Sequence, residues 1–295
     1  MARQKIVDAA RSGKILISDG AWGTMLQQKG LKPGECPELW CVNRPDDVRG
    51  IADSYIKAGS DMVQANSFGG NCYKLEHYGL QDRAAEINEA AAKISRAAAG
   101  ESNWVIASVG PTGKMLVIEE VTEGEMYDAF KTQAMALERG GADAICIETM
   151  SDIEEACIAI RAAKENTALE VICTFAFERT IHGDYKTMMG VSPDDAVKAA
   201  VEAGADIIGT NCGNGFERMI EIVSQMREIN QEIPILVHAN AGLPTFVDGK
   251  DVFPETPEDM ARMMSKIISA GANIIGGCCG TTPAHIKAMK SAIHN

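Results

Sequence analysis

Aromatic and basic residues are scarce in this 295-residue chain. Only 5% of its residues are aromatic, and 28 Lys and Arg stand against 41 Asp and Glu, which gives a formal net charge of −13. Nucleic acids and acidic membranes are bound by clustered Lys and Arg that replace counterions, so the balance disfavours both partners. The low aromatic content also provides little material for a full aromatic cage around a cationic ligand.

Long apolar segments are absent as well. No run approaches the roughly 18 residues needed to cross a bilayer. The N-terminal stretch MARQKIVDAARSGK lacks the long apolar core and small-residue cleavage site of a signal peptide. These absences predict a cytoplasmic protein. The 46% of hydrophobic residues supply a buried core, and the length suits either two small domains or one large α/β barrel.

Eight short segments rich in β-branched residues recur along the chain and decide between those folds. They are KILISDGA, DMVQANSFG, WVIASVGP, AICIETM, EVICTFAF, IIGTNCG, PILVHANAG and NIIGGCCG. Helical periodicity lies between them, and helix-start signatures stand at Ser192-Pro193 and Thr256-Pro257. Apolar strands that alternate with helices are typical of a parallel sheet covered on both faces. Eight such units predict an α/β fold, a (β/α)₈ TIM barrel, as a single domain over residues 1–295.

A turn motif is repeated before the second, fourth, sixth and eighth segments. The four copies read AGSD (58–61), GGAD (140–143), AGAD (203–206) and AGAN (270–273). The second residue of each motif is a glycine. Counted from that glycine, Cys212 and Cys279 lie eight residues on, while Glu148, Asn211 and Cys278 lie seven residues on. Equal offsets predict equal heights, so Cys212, Cys278 and Cys279 should meet at the C-terminal rim, where barrel enzymes keep their chemistry.

Three converging sulfurs suggest a soft metal ion. The nine cysteines are an odd number, which argues against a complete disulfide framework, and Cys146, Cys157 and Cys173 lie in apolar stretches as small buried hydrophobes. Zinc accepts thiolates readily, and a catalytic zinc site supplies three protein ligands and leaves one position open. Adjacent Cys278 and Cys279 reach one ion only if the strand breaks between flanking glycines. A vicinal disulfide and coincidental packing are the alternatives.

The charge of such a site indicates its chemistry. Three thiolates around a divalent cation leave one negative charge, which makes the zinc a poor Lewis acid for producing hydroxide but a good place to hold a further thiol as thiolate. The expected reaction is attack of a substrate thiolate on an activated methyl or other alkyl group.

Several motifs across nearly the whole chain resemble the homocysteine S-methyltransferase family. They are DGAWGTML (19–26), NSFGGN (66–71), VGPTG (109–113), ETMSD (148–152), TNCG (210–213), NAG (240–242) and GGCCGTTPAHI (276–286). The family includes betaine and S-methylmethionine enzymes and the first module of cobalamin-dependent methionine synthase, which this chain resembles most. The resemblance implies a barrel in which Cys212, Cys278 and Cys279 bind the zinc that activates homocysteine.

The same resemblance implies a cradle for the amino acid end of the substrate. Asp19 and Glu148 would hold its ammonium group, and the glycines Gly20 and Gly23 would let backbone N–H groups approach its carboxylate. Further polar residues at predicted strand ends are expected to orient ligands or cysteines: Asn66, Ser67, Ser108, Asn211 and Asn240. His238 is interpreted as a hydrogen-bonded structural residue, with a proton carrier as the alternative.

The resemblance implies a methylated corrinoid protein as the methyl donor, and no second domain is expected after the last helix to carry the corrinoid. This partner, a separate polypeptide, would dock over the barrel mouth and methylate homocysteine to methionine. A sulfonium or betaine donor is the alternative, with aromatic contacts available from Trp22, Trp40, Phe68 and Tyr73.

Three alternatives of other kinds stay open. The first is a catabolic enzyme that moves a methyl group from a methylated substrate to a corrinoid protein. The second is a zinc-binding scaffold without enzymatic activity, whose closed four-cysteine site would need a further sulfur such as Cys72. The third is a metal-free barrel with a redox-active Cys278–Cys279 disulfide.

Overall fold

All eight predicted strands are present in the computed structural model, which describes residues 3–247 and 250–293. They are β1 (Leu16–Ile17), β2 (Met62–Ala65), β3 (Trp104–Val109), β4 (Ala144–Met150), β5 (Glu170–Phe175), β6 (Ile207–Asn211), β7 (Ile235–Ala239) and β8 (Ile274–Gly277). Neighbouring strands pair in parallel in the order β1-β8-β7-β6-β5-β4-β3-β2. The predicted (β/α)₈ barrel is therefore confirmed as a nearly closed parallel sheet.

Helices surround this sheet. They are α1 (Ile6–Arg11), α2 (Gly23–Gln28), α3 (Trp40–Asn43), α4 (Pro45–Ala58), α5 (Cys72–Glu76), α6 (Ala84–Ala99), α7 (Glu123–Arg139), α8 (Ile153–Asn166), α9 (Pro193–Ala203), α10 (Phe216–Ile229), α11 (Pro257–Ser269) and α12 (Pro283–Ala292). Short 3₁₀ turns cover Gln81–Arg83 and Leu116–Ile118. Two antiparallel hairpins extend the loops after β5 and β7: Glu178–Arg179 with Tyr185–Lys186, and Thr245–Val247 with Lys250–Val252. None of these helices is long and apolar enough to cross a bilayer.

The predicted helix signals act as expected. The Ser192 and Thr256 side chains accept hydrogen bonds from the backbone N–H three residues on, and each is followed by proline in the first turn. Gly59 and Gly204 end α4 and α9 in the left-handed conformation, with φ near 100° and 102°. These local choices fix where each helix turns back into a strand.

The barrel interior changes character along its axis. At its N-terminal end the inward side chains of the strands are apolar, and they pack with α1 into one buried cluster that includes Leu16, Met62, Ile106, Ile172 and Ile274. Side chains that point inward recur every second residue, so the next layer toward the C-terminal end has different residues. That layer is polar: Gln64, Ser108, Thr174 and His238. The polar layer forms the floor of the C-terminal mouth.

The repeated turn motif has a structural explanation at the N-terminal rim. Its last residue accepts a hydrogen bond from the backbone N–H of the preceding strand in all four copies. The donor–acceptor pairs are Ile17 to Asp61, Val105 to Asp143, Val171 to Asp206 and Ile235 to Asn273. Each acceptor also contacts a cation, which is Lys290, Arg96, Lys164 or Arg227 in the same order. The last residue of each motif therefore links two strands that follow each other in the chain: β1 with β2, β3 with β4, β5 with β6, and β7 with β8.

Two aspartates bridge the seam between β1 and β2. The Asp61 N–H donates to Ile17 O at 2.6 Å, and the Asp61 carboxylate accepts from Ile17 N at 2.8 Å. Toward the other end of the seam, Asp19 Oδ2 accepts from Gln64 N at 2.7 Å. These carboxylates replace part of the strand ladder, which satisfies backbone donors that would otherwise be buried without partners.

Candidate metal and substrate site

The three predicted cysteines converge at the C-terminal rim. The sulfurs of Cys212, Cys278 and Cys279 all lie within 4.8 Å of one another, and Cys212 Sγ is 3.9 Å from Cys279 Sγ. A tetrahedral zinc ion with Zn–S bonds of 2.3 Å separates its sulfurs by about 3.8 Å. The strand β8 ends at Gly277, so both adjacent cysteines lie on the turn that follows it. The donor set and its spacing therefore suit zinc, which would be held by these three residues.

Backbone contacts fix this cluster. The N–H groups of Cys278 and Cys212 donate to Ala239 O at 2.7 Å and His238 O at 3.0 Å, both on β7. The N–H of Cys279 donates to the side-chain oxygen of Asn240 at 3.1 Å. Cys212 follows β6, whereas Cys278 and Cys279 follow β8. The C-terminal end of β7 lies between these strands and holds the backbone of all three cysteines.

The thiols differ in their acidity. Hydrogen bonds from Cys278 and Cys279 lower the pKa of Cys212 to about 3, whereas the same contacts hold the pKa of Cys278 well above its ordinary value. The hydrogen bond with Cys212 raises the pKa of Cys279 to about 12. These shared hydrogen bonds therefore favour the thiolate form of Cys212 over those of Cys278 and Cys279, and binding of a cation to all three sulfurs must release protons.

A cavity of about 290 Å³ opens beside the cysteines. Its size is close to the lower limit for small-molecule sites. Among its lining residues are the three cysteines and several of the predicted substrate residues: Gly20, Gly23, Asn66, Ser67, Ser108, Asn211 and Glu148. The three predicted metal ligands and these seven predicted residues thus share one cavity.

Glu148 presents a buried carboxylate to this cavity. Its side chain accepts hydrogen bonds from Ser108 Oγ and from Gln64 Nε2, the latter at 2.9 Å. Within residues 3–247 and 250–293 it has no ion pair with Lys or Arg, and burial raises its pKa to about 7. A carboxylate held this way gains most from an incoming cation such as an ammonium group.

Asp19 is placed differently from Glu148. It is 0% exposed, does not line the cavity, and its Oδ2 accepts from Trp22 Nε1 at 2.8 Å as well as from Gln64 N. Burial raises its pKa to about 6. The direct contact between Asp19 and an ammonium group stays a prediction. Its hydrogen bonds with Gln64 and Trp22 favour a structural role, in which Asp19 supports the β1–β2 seam and orients the Trp22 ring.

The other predicted residues occupy several positions around the mouth. Ser67 Oγ donates to Ser108 O at 2.7 Å, and Asn66 Nδ2 donates to Pro37 O at 2.8 Å, so both tie strand ends to neighbouring segments. Asn240 lies behind Cys279 rather than in the cavity wall. Gly20 has no room for a side chain, because a Cβ there would lie 2.7 Å from Thr281 Oγ1.

Sequence reasoning missed two residues that hold the site. Gln64 bonds Glu148 through its side chain and Asp19 through its backbone, and the signal for it was its inward position two residues before Asn66. Thr281 accepts from Ala21 N at 3.0 Å and donates to Cys278 O at 2.7 Å. The signal for Thr281 was a hydroxyl residue two positions after the cysteine pair.

The remaining cysteines do not join the cluster. All nine cysteines are free, so the structure has no Cys278–Cys279 disulfide, and Cys72 is outside the sulfur group. Cys146 and Cys173 are buried as predicted. The prediction for Cys157 is wrong, since its position on α8 leaves it half-buried with a contact to Ala199 O.

His238 is buried in the polar layer, 1% exposed, and its Nε2 has no hydrogen-bond partner among the described residues. Burial lowers the pKa of its imidazole to about 4, so the ring is neutral at physiological pH. The predicted hydrogen bond is therefore absent at this nitrogen.

Aromatic contact with a donor depends on fewer residues than the sequence suggested. Trp22 and Phe68 line the cavity, whereas Trp40 lies under Arg44 at 3.7 Å and Tyr73 lies near Lys114 at 5.7 Å. The last two rings lie outside the cavity wall.

Comparison with known proteins identifies the class to which this barrel and its cysteine cluster belong. The profile of the homocysteine S-methyltransferase family matches residues 16–293, so the chain belongs to the homocysteine S-methyltransferase family, a family of methyltransferases. The predicted family and enzyme class are confirmed.

Individual relatives agree with this assignment. Methionine synthase from Mycobacterium tuberculosis is 31% identical over 96% of this chain, and that from Mycobacterium leprae is 30% identical over 95%. The chain spans about a quarter of the length of these relatives, 25% and 24% respectively. The metallated homocysteine methyltransferase MmuM from Escherichia coli has the same fold, with a TM-score of 0.77, 22% identity, and coverage of 94% of this chain and 96% of that one.

Proposed function

We propose that the chain is a zinc-dependent S-methyltransferase that converts L-homocysteine to methionine. The observation that supports this most is the placement of three cysteine sulfurs and the Glu148 carboxylate around one cavity. L-Homocysteine has a thiol at one end and an ammonium group at the other, so it can meet both. The two mycobacterial relatives are methionine synthases, which supports methionine as the product.

Cys212, Cys278 and Cys279 would hold the zinc ion. When bound, zinc supplies a position where a substrate thiol loses its proton and stays nucleophilic near neutral pH. In the transfer, a bond forms between the substrate sulfur and the methyl carbon, while the bond from that carbon to the donor breaks and its electron pair leaves with the donor.

The remaining residues orient the amino acid. Glu148, held by Gln64 and Ser108, accepts hydrogen bonds from the ammonium group. The cavity-lining backbone from Gly20 to Gly23 approaches the substrate carboxylate, since glycine leaves its N–H groups accessible. Asn66 and Ser67 line the same cavity, and Asn240 accepts a hydrogen bond from the Cys279 N–H. These contacts fix the sulfur in line with an approaching methyl group.

The methyl donor is proposed to be a methylated corrinoid protein. Ten large apolar side chains are exposed on the loops after β2, β3, β5 and β7, at the C-terminal side of the barrel: Phe68, Met115, Val117, Ile118, Ile181, Met188, Met189, Leu243, Phe246 and Val252. Apolar surface of this kind is typical of a protein contact. Only Trp22 and Phe68 of the four suggested aromatic residues line the cavity, which disfavours a sulfonium or betaine donor.

Zinc-edge X-ray absorption on the zinc-loaded protein, with and without L-homocysteine, tests the proposal. The expected result is three sulfurs and one light atom without substrate, and four sulfurs with it. An unchanged shell would exclude L-homocysteine as the thiol. Turnover with methylcobalamin, S-methylmethionine and betaine then separates the donors, and a preference for either of the last two would overturn the corrinoid assignment.

A further inference from the structure

The side chain of Asn211 joins two strand ends that are not neighbours in the sheet. Asn211 ends β6, whereas its partner Thr149 lies near the end of β4, and β5 runs between them. The Asn211 Oδ1 accepts from Thr149 N at 2.8 Å and from Thr174 Oγ1 at 2.7 Å. Its Nδ2 donates to Thr149 Oγ1 at 2.8 Å and, over a longer 3.4 Å, to Glu148 Oε2. The buried amide therefore uses both acceptor and both donor positions.

The residues on either side of this bridge have an unusual backbone. Thr149 and Cys212 are two of only three non-glycine residues with positive φ in the described chain, at 61° and 59°. Thr149 follows Glu148, and Cys212 follows Asn211. The register of β4 with β5 also shifts between Ile147 and Met150, so the Glu148 backbone leaves the regular ladder. Such conformations persist only where surrounding contacts hold them.

The contacts of Asn211 hold the turn at Thr149 directly. Asn211 makes two hydrogen bonds that fix this turn, one with the Thr149 backbone N–H and one with the Thr149 hydroxyl. Glu148 is the preceding residue, so the turn also sets the direction of its side chain. The backbone of Asn211 leads into Cys212, whose N–H is held by His238 O at 3.0 Å. A movement of the Asn211 amide would therefore displace the Glu148 carboxyl group on one side and the Cys212 sulfur on the other.

We propose that Asn211 is a positioning residue that couples the cysteine cluster to the Glu148 carboxylate. The inference rests on the proposed function, in which these two groups hold opposite ends of one substrate. Through Asn211, the order imposed on Cys212 by a bound metal also orders Glu148. Loss of the amide weakens the binding of metal and of amino acid together.

The variant Asn211→Ala has a matched control at the opposite rim. Asn273 also joins two strands, since its Oδ1 accepts from Ile235 N at 2.9 Å and from Arg227 Nη2 at 3.0 Å. Calorimetric titration of zinc-loaded protein with L-homocysteine should show affinity about tenfold lower for Asn211→Ala, the scale seen for residues that orient metal ligands. Asn273→Ala should keep the wild-type affinity while losing thermal stability. Equal affinities for Asn211→Ala and wild type would overturn the inference.

A double-mutant cycle separates coupling from general damage. Asn211→Ala and Glu148→Gln should be non-additive in L-homocysteine affinity, whereas Asn273→Ala and Glu148→Gln should be additive. Additive losses in the first pair would show that Asn211 does not act through Glu148. If Asn211→Ala fails to fold, Thr174→Val serves instead, because it removes one hydrogen bond to the amide at nearly constant shape. It should give a smaller loss in the same direction, and wild-type affinity in this variant would count against the proposal.

Zinc affinity, measured by competition with a chromophoric chelator, is the second readout. Asn211→Ala should bind zinc more weakly, and Asn273→Ala should match the wild type. If wild-type protein fails to bind L-homocysteine, the proposed function is wrong. The chelator competition then still tests whether Asn211 positions the zinc ligands. Unchanged zinc affinity in Asn211→Ala would then exclude it.

Discussion

The two ends of the barrel use the same acidic residue types in opposite ways. At the N-terminal end, Asp61, Asp143 and Asp206 each accept a strand N–H and form an ion pair with Lys or Arg. At the C-terminal end, Glu148 and Asp19 are buried without a Lys or Arg partner among the described residues, and burial raises the pKa of both. The first end pairs its carboxylates with its own cations, whereas the second leaves Glu148 in the cavity wall without a cation from the described part of the chain.

This difference separates stability from function within one fold. Substitutions at the N-terminal rim should lower the free energy of unfolding and leave ligand binding intact. Substitutions at the C-terminal rim should weaken ligand binding and leave the free energy of unfolding unchanged or higher, because unpaired buried carboxylates and thiols contribute little to stability.

The largest effect is expected for the cysteine ligands. Cys212→Ser, Cys278→Ser and Cys279→Ser should each reduce zinc content and methyl transfer by more than about 100-fold, since loss of a ligand exceeds the effect of residues that merely orient one. Circular dichroism should show the barrel still folded. The control Cys157→Ser, on α8, should retain metal and activity. Unfolding of all three ligand variants would make the metal a structural element instead.

Asp143→Ala tests the opposite rim. Asp143 accepts from Val105 N and from Arg3 at 2.7 Å and also pairs with Arg96. Its removal leaves two partly buried cations and a strand donor without their partner, at a cost of about 2–3 kcal/mol. Urea unfolding should record this loss, and L-homocysteine affinity should be unchanged. A parallel loss of affinity would show that the two ends are not independent.

Glu148→Gln should weaken L-homocysteine binding by about tenfold, roughly the 1.4 kcal/mol lost when an ammonium exchanges a carboxylate for an amide. Stability should stay the same or rise, because a buried carboxylate without a cation is removed. Titration calorimetry and urea unfolding measure the two quantities. Wild-type affinity would remove Glu148 from the amino acid cradle.

The pH dependence of the metal-free protein sharpens the comparison. Burial raises the folded-state pKa of Glu148 from 4.5 to about 7, so the folded state binds more protons than the unfolded state between these values. The contribution of Glu148 to stability is therefore present below pH 4.5 and is lost as pH rises to about 7. The difference in unfolding free energy between wild type and Glu148→Gln should follow this course. A difference independent of pH would contradict the shift.

The smallest effect on stability is expected at the exposed rim. Ile181, 96% exposed on the hairpin after β5, should change the unfolding free energy by less than about 0.5 kcal/mol when replaced by serine. With free methylcobalamin the rate should match the wild type, whereas transfer from a methylated corrinoid protein should slow. Equal rates with the protein donor would place its docking surface elsewhere.

Much of the fold could be predicted because its signals are local. The eight apolar segments, the caps at Ser192 and Thr256, and the left-handed glycines at Gly59 and Gly204 each depend on neighbouring residues alone. The cysteine convergence was also predictable, since a parallel sheet brings equal offsets to equal heights.

Long-range contacts could not be predicted in the same way. Asp19 and Glu148 both follow apolar strands in the sequence, yet Asp19 bonds Gln64 across the open seam and Glu148 faces the cavity. Which backbone donors remain unpaired at the seam depends on how the sheet closes. The half-buried position of Cys157 likewise depends on how α8 packs against α9.

The sequence by itself determined the order of strands and helices, the height of the three cysteines, and the family to which the chain belongs, because these depend on periodicity and spacing along the chain. Only the tertiary structure decided which carboxylate faces the cavity, how Gln64 supports that carboxylate, how Thr281 supports the Cys278 backbone, and how Asn211 bridges β4 and β6. Those outcomes depend on the distances between strands, and the strands meet only when the barrel closes.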